Sequence, residues 1–367
     1  MNNRTSIAYL IDVNFERGGA PISTKVLADE MKQYYDVCVI KPLNINEKET
    51  DLRIVPISGF KDSVPFMLFH PIKWIGLCKK LENIINESNF QIIHSHMPNV
   101  GMAIGLLRML KRINPDIKMV YTDREHVAYL KLIHRIRYIL LIARQYDTIV
   151  TLSDVSCQYW SRKVKNAKVT KIYNTASKEF EYCSFEKKAF SPLRIIMVGR
   201  IVSDKGWPLG IEIIKNSPEY HYTLVMSYFD ENQKMEAEEL VKEIENYSNV
   251  DIQYNLSLTE IRELYRQVDV LVMTSERESF GRTAVEAMSQ GCAVIGTQVG
   301  GLPEVIGKED NCLPREMSAF RSKLKFYEQN PETLKHDKEF FYLRYLHNFS
   351  LADNSEKHRQ LYQMLLE

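Results

Sequence analysis

Short apolar runs alternate with longer amphipathic stretches along the whole chain. The runs have the length and composition of buried strands, and the stretches repeat apolar residues at helical spacing. This rhythm is typical of β-α units on a parallel sheet. In the first half we predict helices at 22–34 and 99–113 and strands at 6–13, 36–42, 91–96, 118–123, 147–153 and 169–174.

A second series of the same kind follows the polar segment 175–193, which contains a proline and lacks clear periodicity, so we interpret it as a linker. The fold class predicted is α/β, with two Rossmann-like, doubly wound domains facing across a cleft. We place the domains at 1–178 and 179–345, with a helix at 346–367 that packs back on the first domain. The strands predicted in the second series are 193–200, 222–227, 249–255, 269–275 and 292–297.

The composition is that of a globular protein, with 367 residues, of which 45% are hydrophobic and 26% charged. The six cysteines are scattered, without Cys-x-x-Cys spacing, and we expect reduced thiols. The apolar run at the start is too short for a signal peptide, and no segment approaches the ~20 apolar residues of a membrane span. We therefore expect a cytoplasmic protein.

Charge is distributed unevenly although the net charge is +1. Residues 1–175 carry 25 Lys and Arg against 16 Asp and Glu, about +9, and the remainder carries 23 against 31, about −8. A basic first half favours an anionic partner there. We expect no nucleic-acid partner.

Three loops that directly follow predicted strands of the second half are suited to bind a phosphate. Arg200 and Lys205 follow the first strand, and an arginine fork and a lysine ammonium both bind phosphate oxygens. A later loop leads into a helix whose first amides favour an anion. Backbone amides are expected from Ser279, Phe280, Gly281 and Arg282, with close backbone approach at Gly281, Gly300 and Gly301.

Two glutamates, Glu278 and Glu286, flank this helix start. Retaining glycosidases need their carboxyl groups about 5–5.5 Å apart and inverting ones about 6.5–9.5 Å. Eight residues of one helix span about 12 Å, so a hydrolytic pair is disfavoured. Ionised carboxylates accept hydrogen bonds only, which suits the hydroxyls of a ribose and of a sugar.

The segment MTSERESFGRTAVEAMSQGCAVIGTQVGGLPEVI resembles the donor-site signature of the family 4 retaining glycosyltransferases, which have the two-domain GT-B fold. VGRIVSDKGWPLGIEII resembles the family's Gly-Arg…Lys-Gly phosphate motif, and ERGGAPISTKVLADEM its first-domain glycine loop, at Gly18 and Gly19. DTIVTLSDVSC and KIYNTAS resemble further family segments. In KIYNTAS no glycine follows the asparagine, and we expect a local backbone change.

The resemblance implies that the second domain binds a nucleotide-sugar donor and the first a saccharide or lipid-linked acceptor. Glu286 would hold the ribose and Glu278 the donor sugar, while Arg200 and Lys205 would stabilise the departing diphosphate. No Asp-x-Asp triplet occurs in the chain, so no metal and no other cofactor is expected. The base would lie near Tyr254, Asn255 and Leu256.

In the first domain, His96 follows a predicted strand and resembles a family histidine that approaches the donor sugar. We expect His94 to point to the opposite side of that strand. His126 follows the next strand and is a weaker candidate.

Two basic, apolar segments of the first half, 66–81 and 126–145, have two interpretations. In the first interpretation, both segments are core helices with basic outer edges. In the second, one of them lies on an anionic membrane surface. The second interpretation predicts a peripheral protein at the inner face of the membrane.

Other classes remain open. A sugar-nucleotide epimerase or a sugar phosphorylase shares this fold, although the chain is short for a phosphorylase and lacks an obvious cofactor-lysine segment. A dehydrogenase is disfavoured because no predicted strand leads into G-x-G-x-x-G with an acidic residue about 20 positions on. A non-catalytic partner subunit is the last alternative.

Overall fold

The computed structural model describes residues 4–15, 18–43, 51–61, 63–64, 70–125, 130–164, 167–181 and 189–367. It divides into two units. The first comprises Met1–Tyr173 and Asn354–Glu367, and the second comprises Asn174–Asp353. The divisions predicted from the sequence lie at 178/179 and 345/346.

The first unit is built on a parallel sheet, which in the described residues has seven strands in the order β3-β2-β1-β4-β5-β6-β7. The order reverses its direction at β1 and β4, which pair side by side. Ligands of such sheets bind at this switch point, beyond the carboxyl ends of the strands. The strands are β1 (Ser6–Leu10), β2 (Asp36–Leu43), β3 (Arg53–Lys61), β4 (Ile92–Ser95), β5 (Lys118–Asp123), β6 (Thr148–Thr151) and β7 (Lys168–Lys171).

Helices lie between most of these strands, because the crossover between parallel strands is usually a helix. They are α1 (Gly19–Met31), α2 (Pro71–Asn86), α3 (Pro98–Met109), α4 (Leu132–Tyr138), continued by a π-helical turn at Ile139–Ala143, and α5 (Asp154–Ser161). The apolar core lies on both faces of the sheet, as the alternation of β1 shows: Ala8 and Leu10 belong to one buried cluster, and Ile7 and Tyr9 to the other.

The second unit repeats the architecture with a six-stranded parallel sheet, again counted over the described residues, in the order β10-β9-β8-β11-β12-β13. Its switch point lies between β8 and β11. The strands are β8 (Arg194–Arg200), β9 (His221–Ser227), β10 (Val250–Tyr254), β11 (Val270–Met273), β12 (Ala293–Thr297) and β13 (Cys312–Leu313).

The helices of this half of the chain are α6 (Trp207–Asn216), α7 (Glu231–Val241), α8 (Leu258–Tyr265), α9 (Arg282–Ser289), α10 (Leu302–Ile306), α11 (Met317–Gln329), α12 (Pro331–Asn348) and α13 (Leu351–Leu366). The second division of the chain, at Asp353/Asn354, falls within α13. Residues 354–366 of α13 therefore belong to the first unit, where Leu361 and Tyr362 join its buried cluster.

The predicted α/β class is confirmed, and each predicted strand has an observed counterpart within a few residues. Two strands were missed, β3 and β13. β3 contains Pro56 and Gly59, which obscure strand alternation, and it lies at the edge of the sheet, where a proline is tolerated. β13 has only two residues.

The described parts of the predicted linker include a short 3-10 turn, Lys178–Phe180, whose Phe180 is buried. Residues 182–188 lie outside the described residues. Within the described part of the chain, none of the helices combines the length and the apolar character needed to span a bilayer.

Candidate active site

The turn between β8 and α6 brings Lys205 to Glu278. Lys205 Nζ lies 2.7 Å from Glu278 Oε2, with side chains 21% and 12% exposed. The turn ends at Gly206, whose φ of +64° is left-handed and where a Cβ would meet the Thr274 carbonyl oxygen at 2.0 Å. Glycine is therefore required for this turn to pack against the chain that follows β11.

Backbone contacts join the other two predicted loops to the same place. The Glu276 amide donates to the Asp204 carbonyl over 2.8 Å, and the Gly301 amide donates to the Glu278 carbonyl over 3.0 Å. A Cβ on Gly300 would lie 1.9 Å from that carbonyl oxygen. The structure thus brings the three loops that follow β8, β11 and β12 together around Glu278.

Helix α9 begins beside this cluster, after Gly281 with its φ of +105°. None of the described side chains caps the helix. The Arg282 Nε lies 2.8 Å from Glu286 Oε1, one turn along α9. Burial raises the pKa of Glu286, and the Arg282 and Lys205 cations oppose that rise. The result is a buried carboxylate acceptor beside cations and a helix N-terminus.

Arg200, the last residue of β8, has an exposed side chain. Its backbone carbonyl accepts a hydrogen bond of 2.9 Å from the Trp207 indole, which fixes the loop. Within the described part of the chain no carboxylate pairs with its guanidinium. Arg200 therefore offers an uncommitted cation at the strand end, in contrast to Lys205.

Ser279 and Phe280 lie in the same loop but differ in environment. Ser279 is half-buried. The Phe280 ring is 2% exposed and packs edge-on against Phe349, with ring centroids 5.8 Å apart. The Phe280 side chain is thus part of the core, and only its backbone can serve a ligand.

Tyr254, Asn255 and Leu256 follow β10. Asn255 has a φ of +52°, its amide donates to the Met226 carbonyl over 3.0 Å, and its Oδ1 accepts from the Tyr228 amide over 2.9 Å. These bonds tie the ends of β9 and β10 together. The structure gives no contact between these residues and the Lys205–Glu278 pair among the residues it describes.

The glycine loop predicted in the first unit lies where α1 begins. Gly18 precedes the helix with a φ of +100°, and Gly19 is its first residue. Glu16 and Arg17 lie outside the described residues.

His96 follows β4 and is 1% exposed. Its Nδ1 lies 3.0 Å from an Arg124 guanidinium nitrogen, and its ring lies 4.0 Å from that of His94. The expectation that His94 points to the opposite side is therefore wrong. Residues two apart in a strand share a face, because the side-chain period is two. The weaker candidate, His126, lies outside the described residues.

Two residues at the strand ends of the first unit were missed. Asp12 accepts hydrogen bonds from the Asn99 and Val100 amides at the start of α3, over 2.8 and 2.7 Å, and burial raises its pKa to about 7. Arg124, directly after β5, holds His96. For Arg124 the available signal was its position directly after the strand predicted at 118–123. Asp12 fell within the strand predicted at 6–13.

Among the described residues, no group of three or more His, Cys, Asp or Glu side chains is placed to hold a metal ion. Because the chemistry of the cluster around Glu278 is that of cations, amides and carboxylates, it suits an anion that carries hydroxyl groups.

Comparison with known proteins places the chain in a family. The family model "Glycosyltransferase Family 4" matches residues 17–179, and the model "Glycosyl transferases group 1" matches residues 184–340. The chain therefore belongs to the family 4 glycosyltransferases and has the GT-B fold.

A curated relative is an uncharacterised 41.2 kDa protein in the cps region of Klebsiella pneumoniae, 30% identical over 240 residues. The alignment covers 60% of this chain and 64% of that protein, a little under two thirds of its length. Sucrose-phosphate synthase from Thermosynechococcus elongatus has a TM-score of 0.84 at 16% identity, with 99% of each chain covered. HepE from Anabaena, solved in complex with UDP and glucose, has a TM-score of 0.77 at 14% identity, covering 97% of this chain and 99% of that one. At these identities the two structures establish the fold.

Proposed function

We propose that the protein transfers a hexose or N-acetylhexosamine from a nucleoside diphosphate sugar, a UDP-sugar in the first place, to a saccharide or lipid-linked acceptor, with retention of anomeric configuration. The observation that carries the proposal is the cluster around Glu278, where three loops at strand ends of the second unit join two cation–carboxylate pairs. The solved complex of HepE with UDP and glucose, on the same fold, supports the choice of donor.

The roles follow from charge and position. Arg200 and Lys205 stabilise the negative charge that develops on the diphosphate as the bond to the sugar breaks. The backbone amides at the start of α9 add partial positive charge. Glu286 accepts hydrogen bonds from the ribose hydroxyls and Glu278 from those of the transferred sugar.

In the absence of substrate, the ion pair holds the side chains of Lys205 and Glu278 in place. When the diphosphate binds, Lys205 exchanges or shares its partner, and Glu278 becomes available to a sugar hydroxyl. The same argument applies to Arg282 and Glu286. Such exchange costs little, because each ion keeps a partner of opposite charge or a hydroxyl donor.

The test is a panel of nucleotide sugars scored by thermal shift, followed by transfer to saccharide and lipid-linked acceptors. A ligand at a hundredfold excess over its Kd stabilises the protein by about 2.7 kcal/mol. Release of nucleotide only in the presence of acceptor supports a transferase, and conversion of the donor into an isomeric nucleotide sugar without acceptor supports an epimerase. No stabilisation by any nucleotide sugar contradicts the proposal.

We propose further that the reaction needs no divalent metal, because two cations and a helix N-terminus supply the positive charge at the leaving group. Transfer in excess EDTA is expected to equal transfer in Mg²⁺ or Mn²⁺. Loss of turnover in EDTA that is restored by one metal would overturn this part of the proposal.

An anionic membrane surface is the proposed place of action, at the inner face of the cell membrane. Helix α4 exposes apolar side chains to solvent: Leu132 is 66% exposed, Ile133 50% and Ile136 43%. Residues 130–145 contain four Lys and Arg and no acidic residue. An apolar face beside basic residues suits a bilayer with anionic lipids. The other segment, 66–81, is described only from residue 70, and Phe66 and Phe69 lie outside the described residues.

The membrane contact is tested by sedimentation with liposomes of phosphatidylglycerol and of phosphatidylcholine. The wild type is expected in the anionic pellet only, and replacement of Leu132, Ile133 and Ile136 by serine is expected to abolish pelleting. Met235→Ser, at a residue 66% exposed on α7, is the matched control. Equal absence of the wild type from both pellets contradicts the contact.

A further inference from the structure

The surroundings of His96 determine which of its nitrogens carries the proton. The ring stacks on Tyr9, with centroids 5.4 Å apart and planes inclined by 28°, and lies against His94 on its strand. His94 is itself held at both ring nitrogens, by the Tyr362 hydroxyl and by the Thr122 hydroxyl, each at 2.7 Å. The His96 ring therefore packs against a fixed layer of aromatic side chains.

Arg124 faces the Nδ1 edge of the ring. Its guanidinium nitrogen lies 3.0 Å from His96 Nδ1. A guanidinium group only donates hydrogen bonds, so Nδ1 has to accept. A histidine whose Nδ1 accepts carries its proton on Nε2, provided that the ring is neutral.

The ring is neutral because its burial, the neighbouring histidines and the Arg124 cation oppose a positive charge. Burial lowers the pKa of His96, and His94, Arg124 and His358 lower it further. Tyr9 and Tyr362, the other titratable groups of this cluster, have pKa values raised by burial and are neutral phenols.

The remaining nitrogen, Nε2, has no hydrogen-bond partner among the described residues. A buried donor without a partner is unfavourable. That cost is removed when an oxygen atom of a ligand accepts from Nε2. With one nitrogen occupied by Arg124 and the other protonated, the ring has no lone pair left with which to take up a proton.

We propose that Arg124 is a positioning residue that fixes His96 as the neutral Nε2–H tautomer, so that His96 donates a hydrogen bond to a substrate oxygen and does not act as a base. The identification of the substrate oxygen as a sugar hydroxyl rests on the proposed function. The assignment of the tautomer is independent of that function. No bond is made or broken at His96, and the proton stays on Nε2 throughout.

The tautomer is measured directly by long-range ¹H–¹⁵N correlation on the full chain labelled at histidine nitrogen. The His96 signals are assigned by their absence in His96→Gln. In the wild type at pH 7, His96 is expected as the neutral Nε2–H form, and it is expected to stay neutral at pH 6. Arg124→Met is expected to give a mixture of tautomers. Tyr362→Phe removes a hydroxyl that bonds His94 and Tyr9 but neither nitrogen of His96, and it is expected to leave the His96 pattern unchanged. A charged or Nδ1–H His96 in the wild type, or an unchanged pattern in Arg124→Met, overturns the proposal.

Kinetics with a nucleotide sugar give a second readout. We expect Arg124→Met to lower kcat about tenfold, with the Kd for the nucleotide changed less than about twofold. Arg124→Lys, which keeps a donor, is expected to retain more activity, and thermal melts of both variants check folding.

His96→Gln keeps an N–H donor near Nε2, so its kcat is expected to exceed that of His96→Ala at every pH between 6 and 8. Equal activity of Gln and Ala variants would contradict the donor role. If no nucleotide sugar is turned over while the tautomer is as expected, the proposed function has failed and the assignment of Arg124 stands.

Discussion

The two units share one architecture and place opposite kinds of polar group at their strand ends. In the second unit the strand ends carry charges that reach solvent, such as Arg200 and Lys205. In the first unit they carry buried groups that are largely neutral. Burial lowers the pKa of His94 and His96 and raises that of Asp12 to about 7. The first kind of site suits an anion, and the second suits uncharged hydroxyl groups.

The comparison also shows the limits of net charge as a guide. The half of the chain that carries about −8 provides the cations of the proposed diphosphate site. Residues far from the site, on solvated helix faces, set the net charge. A local arrangement of three loops sets the potential at the ligand. The predictions that follow test whether the two kinds of strand end differ in function.

The largest effect is expected from Gly300→Ala. A Cβ there would meet the Glu278 carbonyl oxygen at 1.9 Å, and the φ of +54° adds strain. We expect a loss of about 3 kcal/mol or more in the free energy of unfolding and no measurable nucleotide binding. Urea denaturation and calorimetric titration measure the two quantities.

Gly76→Ala in the first unit is the control for Gly300→Ala. A Cβ at Gly76 meets nothing within 4 Å, and the residue lies inside α2. Alanine is the better helix former by about 1 kcal/mol, so we expect unchanged or increased stability. If Gly300→Ala folds and binds like the wild type, the packing of the three loops around Glu278 is wrong.

The next effect separates the two glutamates of the second unit. We expect Glu286→Ala to weaken nucleotide binding by ten- to a hundredfold, because a hydrogen bond to a charged group contributes about 1.5–3 kcal/mol. Glu278→Ala is expected to lower kcat more than it changes affinity for the nucleotide alone. Titration with UDP and steady-state kinetics with a UDP-sugar measure the contrast.

Glu286→Gln gives a sharper version of this test. It keeps an acceptor for a hydroxyl but removes the charge that faces Arg282. We expect the nucleotide affinity of Glu286→Gln to lie between those of the wild type and Glu286→Ala. Full activity in both alanine variants would contradict the site assignment.

How far the sequence predicts this site depends on whether a contact is local. The Arg282–Glu286 pair follows from i,i+4 spacing on a helix. The Lys205–Glu278 pair joins residues 73 positions apart and follows only from the resemblance to a family. The Arg124–His96 contact depends on how β4 and β5 align, which no pattern of apolar residues fixes.

The fold was more predictable than the site for the same reason. Buried parallel strands appear as continuous apolar runs, which identified β8 and β12 directly. β3 failed this test because an edge strand needs no such run, and Pro56 interrupts its pattern. The sequence was sufficient to place His94 on the same face as His96, because side chains two residues apart in a strand share a face. The assignment of His94 to the opposite face misapplied that period.

An effect of pH on stability is expected from His358 in the first unit. Burial lowers the pKa of His358 from 6.5 to about 4. A lowered folded-state pKa gives stability that is present above pH 6.5 and is lost as pH falls through about 4. The glutamine of His358→Gln does not titrate. Between pH 7 and pH 5 we therefore expect the free energy of unfolding of this variant to fall by about 1 to 2 kcal/mol less than that of the wild type.

The carboxyl groups of the same unit act in the opposite direction. Burial raises the pKa of Asp12 and Asp123 to about 7, so their contribution to stability is lost as pH rises through that value. Both groups are present in the wild type and in His358→Gln, and the difference between the two proteins isolates the histidine. Urea denaturation at pH 5, 6 and 7 measures it, and parallel pH profiles would contradict the buried neutral state of His358.

The smallest effect is expected from Ser257→Ala, which tests whether stability and binding are separable in the second unit. Ser257 caps α8, where its side chain and that of Glu260 bond each other's backbone amides. Loss of such a cap costs about 0.5–1 kcal/mol, and the residue lies after β10, away from the Lys205–Glu278 pair. We expect lower stability with unchanged nucleotide affinity.

Ser153→Ala, at the cap of α5 in the first unit, is the matched variant and should behave alike. If Ser257→Ala alone weakens nucleotide binding, the loop after β10 is coupled to the ligand, and the contrast between the units extends beyond the charged strand ends.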